Sequence, residues 1–271
     1  MIKTDYILRE NYGKITNRDC PSFSGIVAGE CKGDLWVDRT DDPGVAIVYS
    51  YAVGSFAFLG KINNKEQYRS LKDFIEKDIF CNLKHKGTNY FEYSIEHDGL
   101  KPYIQEMFRD RIVQSEKEYS LRKKEAMKYK ETLPDGFCIS RVDSELWDRA
   151  MYGVFNNGAF LTKRVLENWG SFESFEKKGI GFCITCCSKI AAVLVGTARF
   201  DDVISIDIET EDEFRHQGLG YILTGEFVNE CMQKGCTAQW DCVESNPISR
   251  TLAEKAGFTL FKENTVYWFH I

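Results

Sequence analysis

The chain has 271 residues, 43% hydrophobic and 28% charged, the composition of a globular protein of one large domain or two. Its formal net charge is −6 at pH 7 and its pI about 5.4. That balance argues against nucleic acid, whose phosphates require clustered Lys and Arg. No stretch reaches the ~18 consecutive apolar residues of a membrane span, and Met1 to Tyr6 lacks the apolar core of a signal peptide, so a cytoplasmic protein without a membrane partner is expected.

In chain order, Gly29 to Val37 and Gly44 to Leu59 have strand patterns, the second broken at Gly54. Lys65 to Phe80 is an amphipathic helix with Tyr68, Leu71, Phe74 and Ile75 at helical spacing. Tyr90 to Ile95 alternates as a strand, and Leu100 to Asp110 is a helix. No phosphate loop occurs in this half. Ser115 to Lys130 is polar and helix-forming and runs into the breakers Thr132-Leu133-Pro134-Asp135-Gly136. Its basic cluster Arg122-Lys123-Lys124, Lys128 and Lys130 is interspersed with glutamates, which favours a solvated helix face. The predicted division is an N-terminal α/β domain over 1–125, a connecting helix end and linker over 126–135, and a second domain over 136–271.

Phe137 to Val142 is a strand. Asp143 or Ser144 caps a helix running through Phe155. Leu161 to Trp169 and Phe172 to Lys178 are further helices, and Gly181 to Cys187 with Ile190 to Phe200 form a hairpin. The strand Val203 to Glu209 then leads into Arg215-His216-Gln217-Gly218-Leu219-Gly220, which opens a helix from Tyr221 to Lys234. Glycines that admit close backbone approach, beside a helix N-terminus, suit an anion such as a pyrophosphate. Taken alone the Gly-x-Gly is equally a bare turn or a helix C-cap. It is neither a nucleotide P-loop nor a complete dinucleotide fingerprint. A strand, Thr237 to Glu244, follows. Ser245 or Asn246 caps a helix that Pro247 begins and Gly257 ends. A last strand spans Thr259 to Phe269.

The order strand, R-x-x-G-x-G, helix, strand, Asn-led helix, Gly-Phe, strand resembles the GNAT superfamily of acyl-CoA N-acyltransferases. Glu209-Thr210, Trp240-Asp241, Ser245-Asn246 and Leu252-Ala253-Glu254-Lys255 resemble, more narrowly, a bacterial two-part subgroup that includes the zwittermicin-resistance acetyltransferase. The resemblance covers residues 134–271. It implies an α/β (α+β) fold, with a mixed, mostly antiparallel central sheet flanked by helices in the C-terminal part. The smaller N-terminal α/β domain reads as a degenerate GNAT-like half, or as a cover for the substrate cleft.

The resemblance further implies acetyl-CoA as cosubstrate and a small-molecule amine as acceptor, joined by direct attack in a ternary complex. The strand end Ile208-Glu209-Thr210 would meet the pantetheine arm. His216, Gln217, Gly218, Leu219 and Gly220 would donate to the pyrophosphate. Arg215 adds charge there or points to solvent. Asn246 and Ser249 share a helical face toward the cofactor arm, or Asn246 is only the helix cap. The tyrosine that many GNAT enzymes use as an acid for the thiolate is replaced by Ala253. Candidate bases are Glu209, Asp207 on the same strand face, and Glu244, or all three are plain surface charges. A non-catalytic acyl-CoA sensor is the alternative function.

The ten cysteines read as reduced thiols. Cys183-Ile184-Thr185-Cys186-Cys187 has no second pair or nearby His at metal spacing and reads as a strand, so no metal site is predicted. Trp169, Phe172 and Phe175 form either core or an apolar patch for a homo-oligomer.

Overall fold

A computed structural model describes residues 1–129 and 132–271. The chain divides into two compact units, one of 1–118, 243–245 and 263–271, the other of 119–242 and 246–262. The chain passes between them four times, at Glu118/Tyr119, Cys242/Val243, Ser245/Asn246 and Lys262/Glu263.

The first unit contains β1 (Ile2–Thr4), α1 (Pro21–Val27), β2 (Gly33–Val37), β3 (Val45–Ser50), β4 (Phe56–Gly60), α2 (Lys65–Phe74), α3 (Phe80–His85), β5 (Tyr90–Ile95) and α4 (Lys101–Met107). It also holds the start of β6 (Gln114–Lys123). Strands β1 to β4 pair antiparallel, and β4 pairs parallel with β5. The apolar run of β3 is buried on both faces. Val45 and Ile47 join a core under α2 to α4, while Ala46 and Val48 join one under α1. The expected helix Lys65–Phe80 continues to His85 through a π turn at Ile75–Ile79. Leu71, Ile75 and Ile79 recur every four residues, and a wider turn keeps that spacing on the buried face. The first core is aromatic: Phe91 packs against Phe56, Phe80, Phe108 and Phe269 at 5.0–5.8 Å between ring centroids.

The second unit contains β7 (Phe137–Arg141), α5 (Ser144–Met151), α6 (Ala159–Trp169), α7 (Phe172–Lys178), β8 (Gly181–Cys186), β9 (Lys189–Phe200), β10 (Val203–Thr210), α8 (Leu219–Gln233), β11 (Thr237–Val243), α9 (Pro247–Lys255) and the start of β12 (Thr259–His270). Strands β7 to β10 pair antiparallel and β10 pairs parallel with β11. Helices α5 to α7 cover one face of this sheet over Leu161, Val165, Trp169 and Phe175, and α8 and α9 cover the other over Phe227, Trp240 and Phe258. Trp169 and Phe175 are therefore core, and Phe172 stacks on Trp147 at 4.8 Å, so these rings form no exposed patch.

The two units repeat one pattern: four strands in three antiparallel pairings, then a helical crossover and a parallel strand. The strand orders are β1-β2-β3-β4-β5-β12 and β7-β8-β9-β10-β11-β6. The place beside the parallel strand is thus taken in each case by a strand from the other half of the chain. The sheets are mixed and mostly antiparallel, as the fold expectation required.

The expected helix over Ser115–Lys130 is corrected: 114–123 is the strand β6. Tyr119, Ser120, Leu121 and Arg122 are consecutive and all buried, as in a strand covered on both faces. Arg122 is accordingly no solvated cation. Its Nε donates to Gln239 Oε1 at 3.0 Å and its guanidinium lies over the Phe261 ring. Burial and pairing override the helix propensity of this polar run. Lys130, the last residue of that expectation, and Glu131 of the expected linker lie outside the described residues. The helix expected through Phe155 ends at Met151, where Gly153 takes a left-handed φ of 79°. Neither β1 nor α1 was foreseen; each is short.

Candidate active site

The parallel ladder between β10 and β11 spans three residues, Val203–Ser205 against Thr237–Gln239. Both strands continue, to Thr210 and to Val243, with no further pairing between them among the described residues. On its other side β10 pairs with β9, where the register opposite Ser205/Ile206 skips Thr197, a β-bulge in β9 at the level where the β10–β11 ladder ends. Gly196 makes the bulge fit, because a Cβ there would lie 2.7 Å from Ile204 Cγ2. Trp169 Nε1 donates to the Gly196 carbonyl at 2.9 Å.

At the C-terminal end of β10 the chain turns through Asp212–Phe214 and reaches α8 through two left-handed residues, His216 at φ 64° and Gly218 at φ 77°. Gly218 is the N-cap of α8 and brings no side-chain cap. The backbone N–H groups of residues 216–220 donate to no protein acceptor among the described residues. They stand at the positive end of a 15-residue helix, which makes this loop an anion cradle. Gly220 lets α8 approach, since a Cβ there would meet Leu252 Cδ2 at 3.2 Å and Ile208 Cδ1 at 3.4 Å. Ile208 of β10, Gly220 of α8 and Leu252 of α9 thus converge. The equivalent crossover in the first unit is closed: Asn64 caps α2 by accepting from Gln67 N, and Gly60 N donates to His97 Nδ1 at 3.0 Å.

Arg215 is exposed and turned back on its own loop, pairing with Asp212 at 2.7 Å and donating to the Thr210 carbonyl at 3.3 Å. Asn246 caps α9 by accepting from Ser249 N at 3.2 Å, and Ser249 Oγ accepts from Trp240 Nε1 at 2.8 Å. Ala253, at the position of the expected tyrosine, is fully buried. Cys242 on β11 is buried as well, its thiol 4.0 Å from the Tyr119 carbonyl.

Asp207 and Glu209 lie together on β10, each roughly half exposed, and share a partner that sequence reasoning missed. Arg164 on α6 donates from Nε to Asp207 Oδ2 at 2.8 Å and pairs through its other end with Glu209. The pair is 43 positions apart, beyond any helical or hairpin spacing, so no sequence signal could have found it. Glu244 falls in the other unit, exposed, with its N–H donating to Lys117 O at 2.8 Å. It is not among the residues brought together here.

The family description "GNAT acetyltransferase" matches residues 15–267, which takes in both units rather than the C-terminal part alone. A Bacillus subtilis (strain 168) protein named uncharacterized N-acetyltransferase YdfB is 24% identical over 254 residues, covering 92% of this chain and 90% of that one. A GCN5-related N-acetyltransferase-like protein from Streptococcus suis 89/1591 has the same fold, with a TM-score of 0.59, 21% identity and 88% of each chain covered. So has a tandem GNAT protein from the clavulanic acid biosynthesis pathway, at a TM-score of 0.55 and 9% identity over 89% of this chain and 83% of that one. The chain belongs to the GNAT acetyltransferase family, and it is an acyltransferase.

Proposed function

We propose that this protein is an acetyl-CoA-dependent N-acetyltransferase of a small-molecule amine, within the two-part subgroup that includes the zwittermicin-resistance acetyltransferase. The observation that carries the reading is the separation of β10 from β11 beside a helix N-terminus with no side-chain cap. The N–H groups of His216, Gln217, Gly218, Leu219 and Gly220 hold the pyrophosphate, and Arg215 screens it from the rim. The strand end Ile208-Glu209-Thr210 faces the pantetheine arm, with Asn246 and Ser249 on the opposite side. The second unit is the catalytic domain; the first lacks an open helix N-terminus at the matching place.

Bound acetyl-CoA supplies an acyl thioester as the electrophile. The chain has to orient a neutral amine, take its proton and stabilise the developing oxyanion. Glu209 is the proposed base, with Asp207 beside it. Arg164 fixes the two in place. Backbone N–H groups freed by the strand divergence are the proposed oxyanion donors. The proposed enzyme acts in the cytoplasm on a free small molecule, with neither nucleic acid nor membrane as partner and with a homo-oligomer open to it.

A second reading, an acyl-CoA-binding sensor without turnover, is favoured by the buried Ala253 and by the engagement of both carboxylates with Arg164. Calorimetric titration with acetyl-CoA and coenzyme A, on wild type and Gly220→Glu, tests the cofactor site. Micromolar binding lost in the variant supports it, and no binding by folded wild type removes it. Thiol release on adding a panel of amines then separates the enzyme from the sensor, which releases none.

A further inference from the structure

Strands β5 and β12 carry two different surfaces. In their antiparallel register Glu92 faces Trp268 and Tyr90 faces His270. The alternate residues Phe91, Tyr93 and Phe269 go into the aromatic core, so Tyr90, Glu92, Trp268 and His270 share the opposite face. With Glu116 from β6 they line a pocket of about 330 Å³, all of it within the first unit.

This pocket holds negative charge without a matching cation. Burial raises the Glu92 carboxyl above its ordinary range, and the Glu116 charge raises it further. Glu116 Oε2 accepts from Ser245 N at 3.0 Å. The neighbouring Lys117 is already paired with Glu263 at 3.2 Å, and His270 is the only basic side chain of the lining. Trp268 is held in place by its Nε1 donating to Gln114 Oε1 at 2.9 Å. Carboxylates between an indole, a phenol and an imidazole make the environment that attracts an organic cation, by charge and by the negative faces of the rings. No trio of His, Cys, Asp or Glu among the described residues is disposed to hold a metal ion.

We propose that Tyr90, Glu92, Glu116, Trp268 and His270 form a binding site for a small organic ammonium ion. The test of this site uses neither acetyl-CoA nor activity. Full-length protein is titrated with benzyltrimethylammonium chloride at constant ionic strength, by calorimetry and by the Trp268 indole N–H resonance, assigned with Trp268→Phe. The expected result is saturable binding that shifts this resonance and is about tenfold tighter than that of neutral benzyl alcohol. Glu92→Gln/Glu116→Gln, which preserves side-chain size, is expected to weaken it at least about tenfold while melting no lower than wild type. Equal binding of benzyl alcohol, unchanged affinity in the double variant, or no saturable binding to folded wild type overturns the assignment. Competition by magnesium chloride beyond that of sodium chloride at equal ionic strength also overturns it, in favour of a metal site.

Discussion

Arg164 holds Asp207 and Glu209 with one guanidinium. The two carboxylates are two residues apart on β10 and therefore project from the same strand face, within the span of a planar fork. The fork is itself anchored, lying over the Phe160 ring and donating to the Phe160 carbonyl at 2.7 Å. Two like charges that would repel on a strand are thereby held in fixed positions.

This arrangement predicts distinct effects in thiol-release kinetics. Glu209→Gln lowers kcat/KM about 100-fold, the usual size for loss of a general base, with coenzyme A affinity unchanged. Arg164→Gln lowers kcat about tenfold by loosening the carboxylates, and Arg164→Lys does not restore it, because a compact ammonium cannot span both. Full activity in Glu209→Gln removes that residue from the chemistry.

Glu92 predicts a stability effect of defined sign. Its carboxyl is raised in the folded protein by burial and then by Glu116, so folding favours the protonated form. At neutral pH the group is ionised in the unfolded chain and its charge opposes folding. That opposition fades as pH falls through the raised folded-state value. Glu92→Gln is expected to increase Tm at pH 7 by roughly 2 °C, with the gain shrinking toward acid pH. Thermal melts at several pH values check it, and a lower Tm at pH 7 contradicts it.

Gly225 sits inside α8, where alanine ordinarily stabilises by about 0.5–1 kcal/mol. Here a Cβ would lie 2.2 Å from Tyr129 Cε1. Tyr129 also donates to Glu226, and the nearby Met127 backbone is bound at both N–H and C=O by Asn229. Gly225→Ala is therefore expected to destabilise by about 1–3 kcal/mol. Gly225→Ala/Tyr129→Ala should be more stable than the sum of the single effects, as a double-mutant cycle in denaturant will register.

Asn246 separates structure from binding. Asn246→Ala removes a helix cap and costs about 1 kcal/mol. Asn246→Asp keeps the cap acceptor but has no amide donor. If Asn246 touches the cofactor, the aspartate variant melts like wild type and binds coenzyme A more weakly. Equal binding by both proteins reduces Asn246 to a cap.

The second half of the fold was legible because its signals are local. Asp143, Ser171 and Asn246 cap helices by accepting from the N–H three positions on, and the Gly218-to-Gly220 turn stands where the glycines required it. The strand β6 was illegible because its burial comes from distant partners, among them Gln239 and Phe261 for Arg122. The same reason hid Arg164. The repeat in the first half was suggested by the resemblance but carried by no motif of its own, since its crossover has a self-capped helix at Asn64 instead of a glycine loop.

The exchange of outer strands also sets an order of events during synthesis. The first unit is translated early, but the strand beside β5 is Glu263 to His270, which follows the last residue of the second unit. Until those residues leave the ribosome, β5 presents an unpaired edge, and Phe269 is missing from the aromatic core it later fills. The half that is made first is therefore the half that is finished last, and a nascent chain stalled a few residues short would carry a complete cofactor loop beside an open sheet.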